Sequence, residues 1–494
     1  MARLNHLVVV VPGIGGSVLQ TPKGAARWDE HRRRFVAAAT RPGRLRLDKH
    51  PDLVPVGLLP DITLIGPFVV PGYDRLVRQI CNHFDDVRVD VSRPGRAPDT
   101  RADLVLFPYD FRQSIQHAAE RLAADVAARL DGEHTGARRR RVIVVAHSMG
   151  GLVARYWMGP LGGAADCEAL VTLGTPHRGA PKALEVLGNG LVVGRKRLVG
   201  LTRVLRQWPS AYELLPRYPV VGRPAGDAPL KPSELHAGAT GGASFAKQAK
   251  LAFGVHEDIE ETWTRLHQRP DGPEVTAVFG RGHSTLQHAL LSPSGLKVTK
   301  DSADWLPNPD WHGDGTVPAI SAIPIEQNDR RARRAVPVRH MALASSSVVV
   351  DILAEYTGEP LDSVRGDTLD EPWLGLDLEE TVLSDDPVPV GVTLHGAYAD
   401  EWTQVRVRAR PHDGPREAGA GTGWLPCAEA SDGRWLGHLP PLDAGSYTVE
   451  VSATGLPVVS RLSAGDVLGV LDPETTDADT DDDQDGDGDG DGDA

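Results

Sequence analysis

The sequence predicts an α/β protein with a mostly parallel sheet, followed by a small antiparallel β-sandwich. Three observations lead there. Apolar runs at LVVVV (7–11), DLVLF (103–107), RVIVV (141–145), ALVTLG (169–174) and VTAVFG (275–280) are continuous rather than alternating, as suits strands buried on both faces. One-sided apolar patterns at YDRLVRQICNHF (73–84) and SIQHAAERLAADVAARL (114–130) fall between them. Strand–helix alternation of this kind builds a parallel sheet with right-handed crossovers and helices on both faces. After about residue 375, PVGVTLH, WTQVRVRAR and GSYTVEVSA change to a period of two, with turn residues between them; that is a sandwich pattern.

Two segments interrupt the alternation. Residues 20–72 contain WDEHRRRF and LLPDITLIGPFVVPGY, and residues 181–270 contain RLVGLTRVLRQW. Insertions of this length are usually functional, so 20–72 is read as a lid region and 181–270 as a cap over the strand ends. The expected domains are the α/β body at 1–375, the sandwich at 376–472 as an accessory separable from turnover, and an acidic tail at 473–494. The tail cannot bury a core and is expected to be disordered. Its Asp481, Asp483, Asp485 and Gly486 resemble the start of a calcium loop, but Gly492 stands where the twelfth-position glutamate belongs, so no metal site is expected.

Composition narrows the function. A formal net charge of −14 excludes broad nucleic-acid binding, and 40% hydrophobic residues suffice for a large core. The three cysteines, Cys81, Cys167 and Cys427, are widely spaced and odd in number. They form neither a disulfide framework nor a zinc motif, which suits a reducing compartment. MARLNHLVVVVPGIGG runs from a short apolar stretch into a glycine turn, not into a cleavage site. No window reaches the roughly 20 apolar residues that cross a bilayer. A cytoplasmic protein without a transmembrane segment is expected.

The chemistry centres on Ala146-His147-Ser148-Met149-Gly150, which follows VIVV and precedes GLVARYWM. A serine on a sharp strand-to-helix turn needs small neighbours, because its backbone is strained and the flanking chain passes close. The pattern matches a G-x-S-x-G nucleophile elbow with alanine in the first position. A serine hydroxyl needs a base within reach, and the base needs a group to orient it. In α/β hydrolases these follow in the order Ser, Asp or Glu, His. Asp314 in WHGDGTVPAISA and His340 after a short VPV strand supply that order. The oxyanion donors are expected to be the backbone N–H groups of Met149 and of Ile14 in PGIGG. That glycine loop reads GIGGSV over 13–18, which does not match a dinucleotide fingerprint, so no cofactor is expected. Tyr109, Asp110 and His177 are candidates for lining the substrate pocket, whereas His147 should point away from the reacting carbon.

Taken in order, PGIGGSVL, LFPYDFRQS (106–114), AHSMGG, TLGTPHRGA (172–180), WPSAYELLP (208–216), GDGTVP (313–318) and His340 resemble the lecithin:cholesterol acyltransferase-like family of α/β hydrolases, over roughly residues 7–355. The resemblance implies an α/β-hydrolase fold and a Ser148-Asp314-His340 acyl-enzyme mechanism on ester lipids. The lid region has no cysteine, unlike the secreted animal member, whose lid carries a disulfide. The expected function is a serine esterase or lipase that passes the acyl group to water. The alternatives are an O-acyltransferase using a lipid alcohol, and a catalytically silent binding protein acting through its sandwich. A protein partner on the sandwich is a further expectation.

Overall fold

A computed structural model describes residues 3–29, 41–59, 61–62, 70–71, 73–131, 140–223, 227–236, 243–269, 272–292, 295–306, 312–327, 332–357, 372–411, 421–457 and 459–473. Most of the acidic tail, with its aspartate run, and parts of the lid and cap regions lie outside the described residues.

The body is built on seven strands: β1 (Leu7–Val11), β2 (Val89–Val91), β3 (Leu104–Leu106), β4 (Val142–His147), β5 (Cys167–Leu173), β6 (Glu274–Gly280) and β7 (Arg333–Val336). They pair in the order β7-β6-β5-β4-β1-β3-β2, and every pairing is parallel. β4 lies in the middle, so its C-terminal end is the most sheltered point along that edge.

The continuous apolar runs are explained by burial on both faces. Leu7, Val9 and Val11 join one apolar cluster, while Val8 and Val10 join the other. Each such side chain contributes roughly 1.5–3 kcal/mol when fully buried. Helices α2 (Ile115–Asp131) and α3 (Met149–Met158) pack on the first face. Helices α1 (Tyr73–His83) and α9 (Val348–Glu355) pack on the second.

The edge strands β2 and β7 had no apolar signal. The expected VPV strand before His340 is displaced: β7 ends at Val336, because Pro337 has no N–H to continue the ladder.

The described part of the lid region forms a small antiparallel sheet of Ser17–Gln20, Ala26–Trp28 and Val54–Leu58. The cap region contains α4 (Pro181–Asn189), α5 (Val199–Leu205), α6 (Pro209–Glu213) and the long α7 (Ala243–His267). A short helix, α8 (His340–Leu343), follows β7.

The C-terminal strands are β8 (Trp373–Leu378), β9 (Thr381–Leu383), β10 (Val388–His395), β11 (Gln404–Pro411), β12 (Leu425–Pro426), β13 (Ala428–Glu429), β14 (Trp435–Leu439), β15 (Gly445–Thr454) and β16 (Arg461–Leu471). They form two sheets, β8-β10-β14-β13 and β9-β16-β15-β11-β12. All pairs are antiparallel except β9–β16. Inward residues such as Leu374, Leu376, Val390, Val407, Val449 and Leu468 share one core, which gives the period-two pattern its cause.

This unit does not stand apart from the body. The Leu376 N–H donates to His283 Nδ1 at 3.2 Å, and the Ser284 N–H donates to the Leu376 carbonyl at 3.3 Å. These two hydrogen bonds join the first strand of the sandwich to the loop that follows β6.

Candidate active site

The loop after β4 bends sharply enough to give Ser148 φ +52° and ψ −126°, one of two positive-φ non-glycine residues among those described. Such a conformation costs a non-glycine residue on the order of 1–3 kcal/mol and persists only where the surroundings impose it. Here they do. The Ser148 N–H donates to the Leu173 carbonyl at the end of β5, 2.9 Å away. The chain must also pass β1 closely, and glycine permits that: a Cβ on Gly150 would stand 2.4 Å from the Pro12 carbonyl oxygen and 2.6 Å from that of Val11.

Two other loops converge on the serine. His340 Nε2 lies 2.9 Å from Ser148 Oγ, and His340 Nδ1 lies 2.7 Å from Asp314 Oδ2. Asp314 is itself held: its Oδ1 accepts the N–H groups of Thr316 at 3.0 Å and Val317 at 2.7 Å. The His340 N–H donates to the Asp314 carbonyl at 2.9 Å, tying the two loops together. Gly174, at φ +59°, makes room, since a Cβ there would stand 2.9 Å from Asp314 Oδ2 and 3.0 Å from His340 Nδ1.

With carboxylate oxygen facing Nδ1, that nitrogen carries the proton, and Nε2 is left to accept from the serine hydroxyl. Burial pulls the His340 imidazole down, but the charge and hydrogen bond of Asp314, aided by Glu380, outweigh it, so the net shift is upward.

A second hydrogen-bonded chain runs behind the first. The Gly13 N–H donates to Tyr73 Oη at 2.8 Å, Tyr73 Oη lies 3.0 Å from His147 Nδ1, and His147 Nε2 lies 3.1 Å from the His340 carbonyl. A carbonyl can only accept, so His147 Nε2 donates, Nδ1 accepts, and the tyrosine hydroxyl donates to it. Burial, reinforced by His340, holds His147 at about 3, which keeps it neutral. The elbow histidine therefore points away from Ser148 Oγ and joins the glycine loop to the base loop. Spacing gave no hint of Tyr73, whose only signal was its place at the head of a helical pattern.

Beside Ser148 and His340 lies an apolar slot of about 80 Å³, lined among others by Ile14, Val186, Leu187, Leu205, Leu214 and Val317. A larger polar hollow of about 930 Å³ lies between body and sandwich, but none of Ser148, Asp314 and His340 lines it. Ser148 and His340 line the slot and not the hollow. Met149 starts α3, where a first-turn N–H has no intrahelical acceptor. Ile14 follows Gly13, whose own N–H is already engaged.

The three pocket candidates, Tyr109, Asp110 and His177, lie outside the lining of the slot. Tyr109 is buried with its hydroxyl donating to the Pro12 carbonyl at 2.9 Å. Asp110 grips Arg112 through two contacts of 2.9 and 2.7 Å. Arg112 reaches the Leu45 carbonyl at 3.5 Å, and Trp208 Nε1 donates to the same oxygen at 3.2 Å, so this cluster pins the lid region. His177 Nδ1 accepts from Arg155 at 3.0 Å, and burial with the Arg155 charge keeps it far below its usual range. None of the three lines the slot. Each satisfies a buried polar partner instead, which sequence spacing does not reveal.

Among the described residues, no group of three or more His, Cys, Asp or Glu side chains could hold a metal ion, and no helix is long and apolar enough to cross a membrane.

The lecithin:cholesterol acyltransferase family profile matches residues 95–234, the segment that holds β3, the serine elbow and β5. No curated protein matches the chain in sequence. Among solved structures, the mature form of the lipase BlEst2 from Bacillus licheniformis is 12% identical, covers 72% of this chain and 92% of its own, and has a TM-score of 0.33. Its propeptide form is 10% identical over 94% of both chains, also at 0.33. A superoxide reductase from Ignicoccus hospitalis is 11% identical, covers 22% of this chain and 89% of its own, and has a TM-score of 0.18. The strand order and the elbow carry the fold without these neighbours. Across residues 95–234 the chain is similar to the lecithin:cholesterol acyltransferase family, and it carries Ser148 at the end of the middle strand of a seven-stranded parallel sheet.

Proposed function

We propose that this protein is a serine hydrolase of ester lipids working through an acyl-enzyme. The observation that carries the reading is the unbroken chain Ser148–His340–Asp314, buried and opening on an apolar slot. Ser148 Oγ attacks the ester carbonyl while His340 Nε2 takes its proton. The backbone N–H groups of Met149 and Ile14 hold the oxyanion. The tetrahedral adduct collapses, the carbon–oxygen bond to the alcohol breaks, and His340 returns the proton to the departing oxygen. Water then attacks the acyl-enzyme with His340 again as base, freeing the acid and Ser148. Asp314 orients the imidazole and stabilises its cationic form.

The acyl-transfer reading differs only in the acceptor. Two observations favour it: the matched family's name, and the apolar lining of the slot beside Ser148, which is itself 5% exposed. Products analysed with and without a long-chain alcohol separate the two. Dominant ester formation at modest alcohol would replace hydrolysis by transfer.

The primary test is fluorophosphonate labelling with peptide mapping, with Ser148→Ala alongside. One adduct on Ser148, lost in the variant, is expected. A folded protein that takes no label would return the reading to a binding protein.

A further inference from the structure

We propose that the C-terminal sandwich is a working part of the active site: its Glu380 and Asp466 position the loops that carry Asp314 and His340, acting through Thr316 and Arg339. The inference rests on the serine-hydrolase reading above.

Arg339 immediately precedes His340 and is buried, with a side chain 7% exposed. Its Nε lies 2.7 Å from Asp466 Oδ2 on β16, and its Nη1 donates to the Leu378 carbonyl at the end of β8, 3.1 Å away. Both anchors belong to the sandwich. The guanidinium lies against Gly315, the residue after Asp314, where a Cβ would stand 3.0 Å from Nη2. One arginine therefore links the base loop, the acid loop and both sheets of the sandwich.

A second brace runs through Thr316. Its N–H holds Asp314 Oδ1 at 3.0 Å, while its hydroxyl donates to Glu380 Oε1 at 3.1 Å. A third runs through His283: the Leu376 N–H donates to its Nδ1 at 3.2 Å, and its own backbone N–H donates to the Gly313 carbonyl at 3.0 Å. All three end within one residue of Asp314 or His340. A buried charge pair is a costly way merely to attach a domain, whereas a triad needs its base held within a fraction of an ångström, since small misplacements cost up to 10²-fold in rate. The brace also has an electrostatic effect, because the Glu380 carboxylate helps raise the His340 imidazole.

The test uses the full chain with the isosteric variants Asp466→Asn, Glu380→Gln and Thr316→Val, assayed on a short soluble p-nitrophenyl ester. Measurements are kcat, KM, pH–rate profile and Ser148 labelling rate, with folding checked by circular dichroism. The charged or titratable groups facing His340 are Asp314, His147 and Glu380, with Arg339 as its chain neighbour and Lys182 beside Glu380.

Asp466→Asn is expected to lower kcat and labelling about tenfold or more with KM within about twofold. In Glu380→Gln the acid limb of the profile moves to lower pH. Thr316→Val keeps that limb and lowers kcat, because the charge stays while the tether is lost. Should Asp466→Asn misfold, the other two variants decide. Folded variants with the original kcat and acid limb would overturn the inference while Ser148 still labels. If the unaltered protein does not label, the serine-hydrolase reading fails and this inference with it.

Discussion

Replacing Tyr73 by phenylalanine tests the hydrogen-bonded chain behind the triad with little disturbance elsewhere. The ring is 2% exposed and belongs to the apolar cluster with Leu76 and Ile80, so phenylalanine keeps the packing and leaves no cavity. Only the hydroxyl goes. It accepts from the Gly13 N–H at 2.8 Å and donates to His147 Nδ1 at 3.0 Å. Both groups are buried, and each left unsatisfied costs about 1–3 kcal/mol. Relief from burying the hydroxyl itself returns part of that, so a net loss of about 2–4 kcal/mol is expected. Urea unfolding followed by near-UV circular dichroism measures it as a lower midpoint at unchanged slope. The same substitution frees His147 to take its other tautomer, which cannot donate to the His340 carbonyl. A drop in kcat of about tenfold, or 1.4 kcal/mol, is the matching kinetic signature. A stability loss under about 0.5 kcal/mol with native kcat would refute the reasoning, because the two bonds would then carry no load.

Asp314→Asn should cut kcat by about 10³–10⁴-fold by losing the tautomer and the imidazolium partner, and should move any residual acid limb to lower pH, since Asp314 is a main cause of the raised His340 value; an unmoved limb would exclude His340 as the base. Glu213 is pushed by burial from 4.5 to about 7. Its proton is therefore held more tightly in the folded state, so its stability contribution is whole below about pH 4.5 and is lost as pH rises through about 7, a difference of about 3 kcal/mol. Glu213→Gln should flatten the fall in urea midpoint between pH 5 and 8, and parallel curves would contradict this. Gly150→Ala forces a Cβ onto the backbone carbonyls of Val11 and Pro12. It should cost about 1–3 kcal/mol and slow Ser148 labelling by shifting the glycine loop; native labelling would show that the elbow relaxes.

The strands at the centre of the sheet were legible because an apolar run with no alternation can be buried only on two sides, and the clusters on either face of β1 bear that out. The sandwich was legible for the opposite reason, one buried face per strand. Edge strands Val89–Val91 and Arg333–Val336 were not: they are short and partly exposed, and their pairing comes from neighbours already in place. Ser148 announced itself through its small neighbours, since strain and close approach restrict composition locally. Asp314 and His340 were found by their order along the chain, but a 2.9 Å contact across 192 residues is a property of the folded sheet alone.

The sequence by itself determined which segments are buried and which residue types could do acyl chemistry, because periodicity, strain and turn chemistry act within a few residues. Tertiary structure decided the partners. It turned Tyr109, Asp110 and His177 toward buried polar groups and away from the slot. It joined Tyr73 and His147 in a hydrogen-bonded chain, and it set Asp466 against Arg339 across 127 positions of chain. No local signal marks those choices, since a buried polar side chain takes whichever partner the packing of distant elements brings within 3 Å.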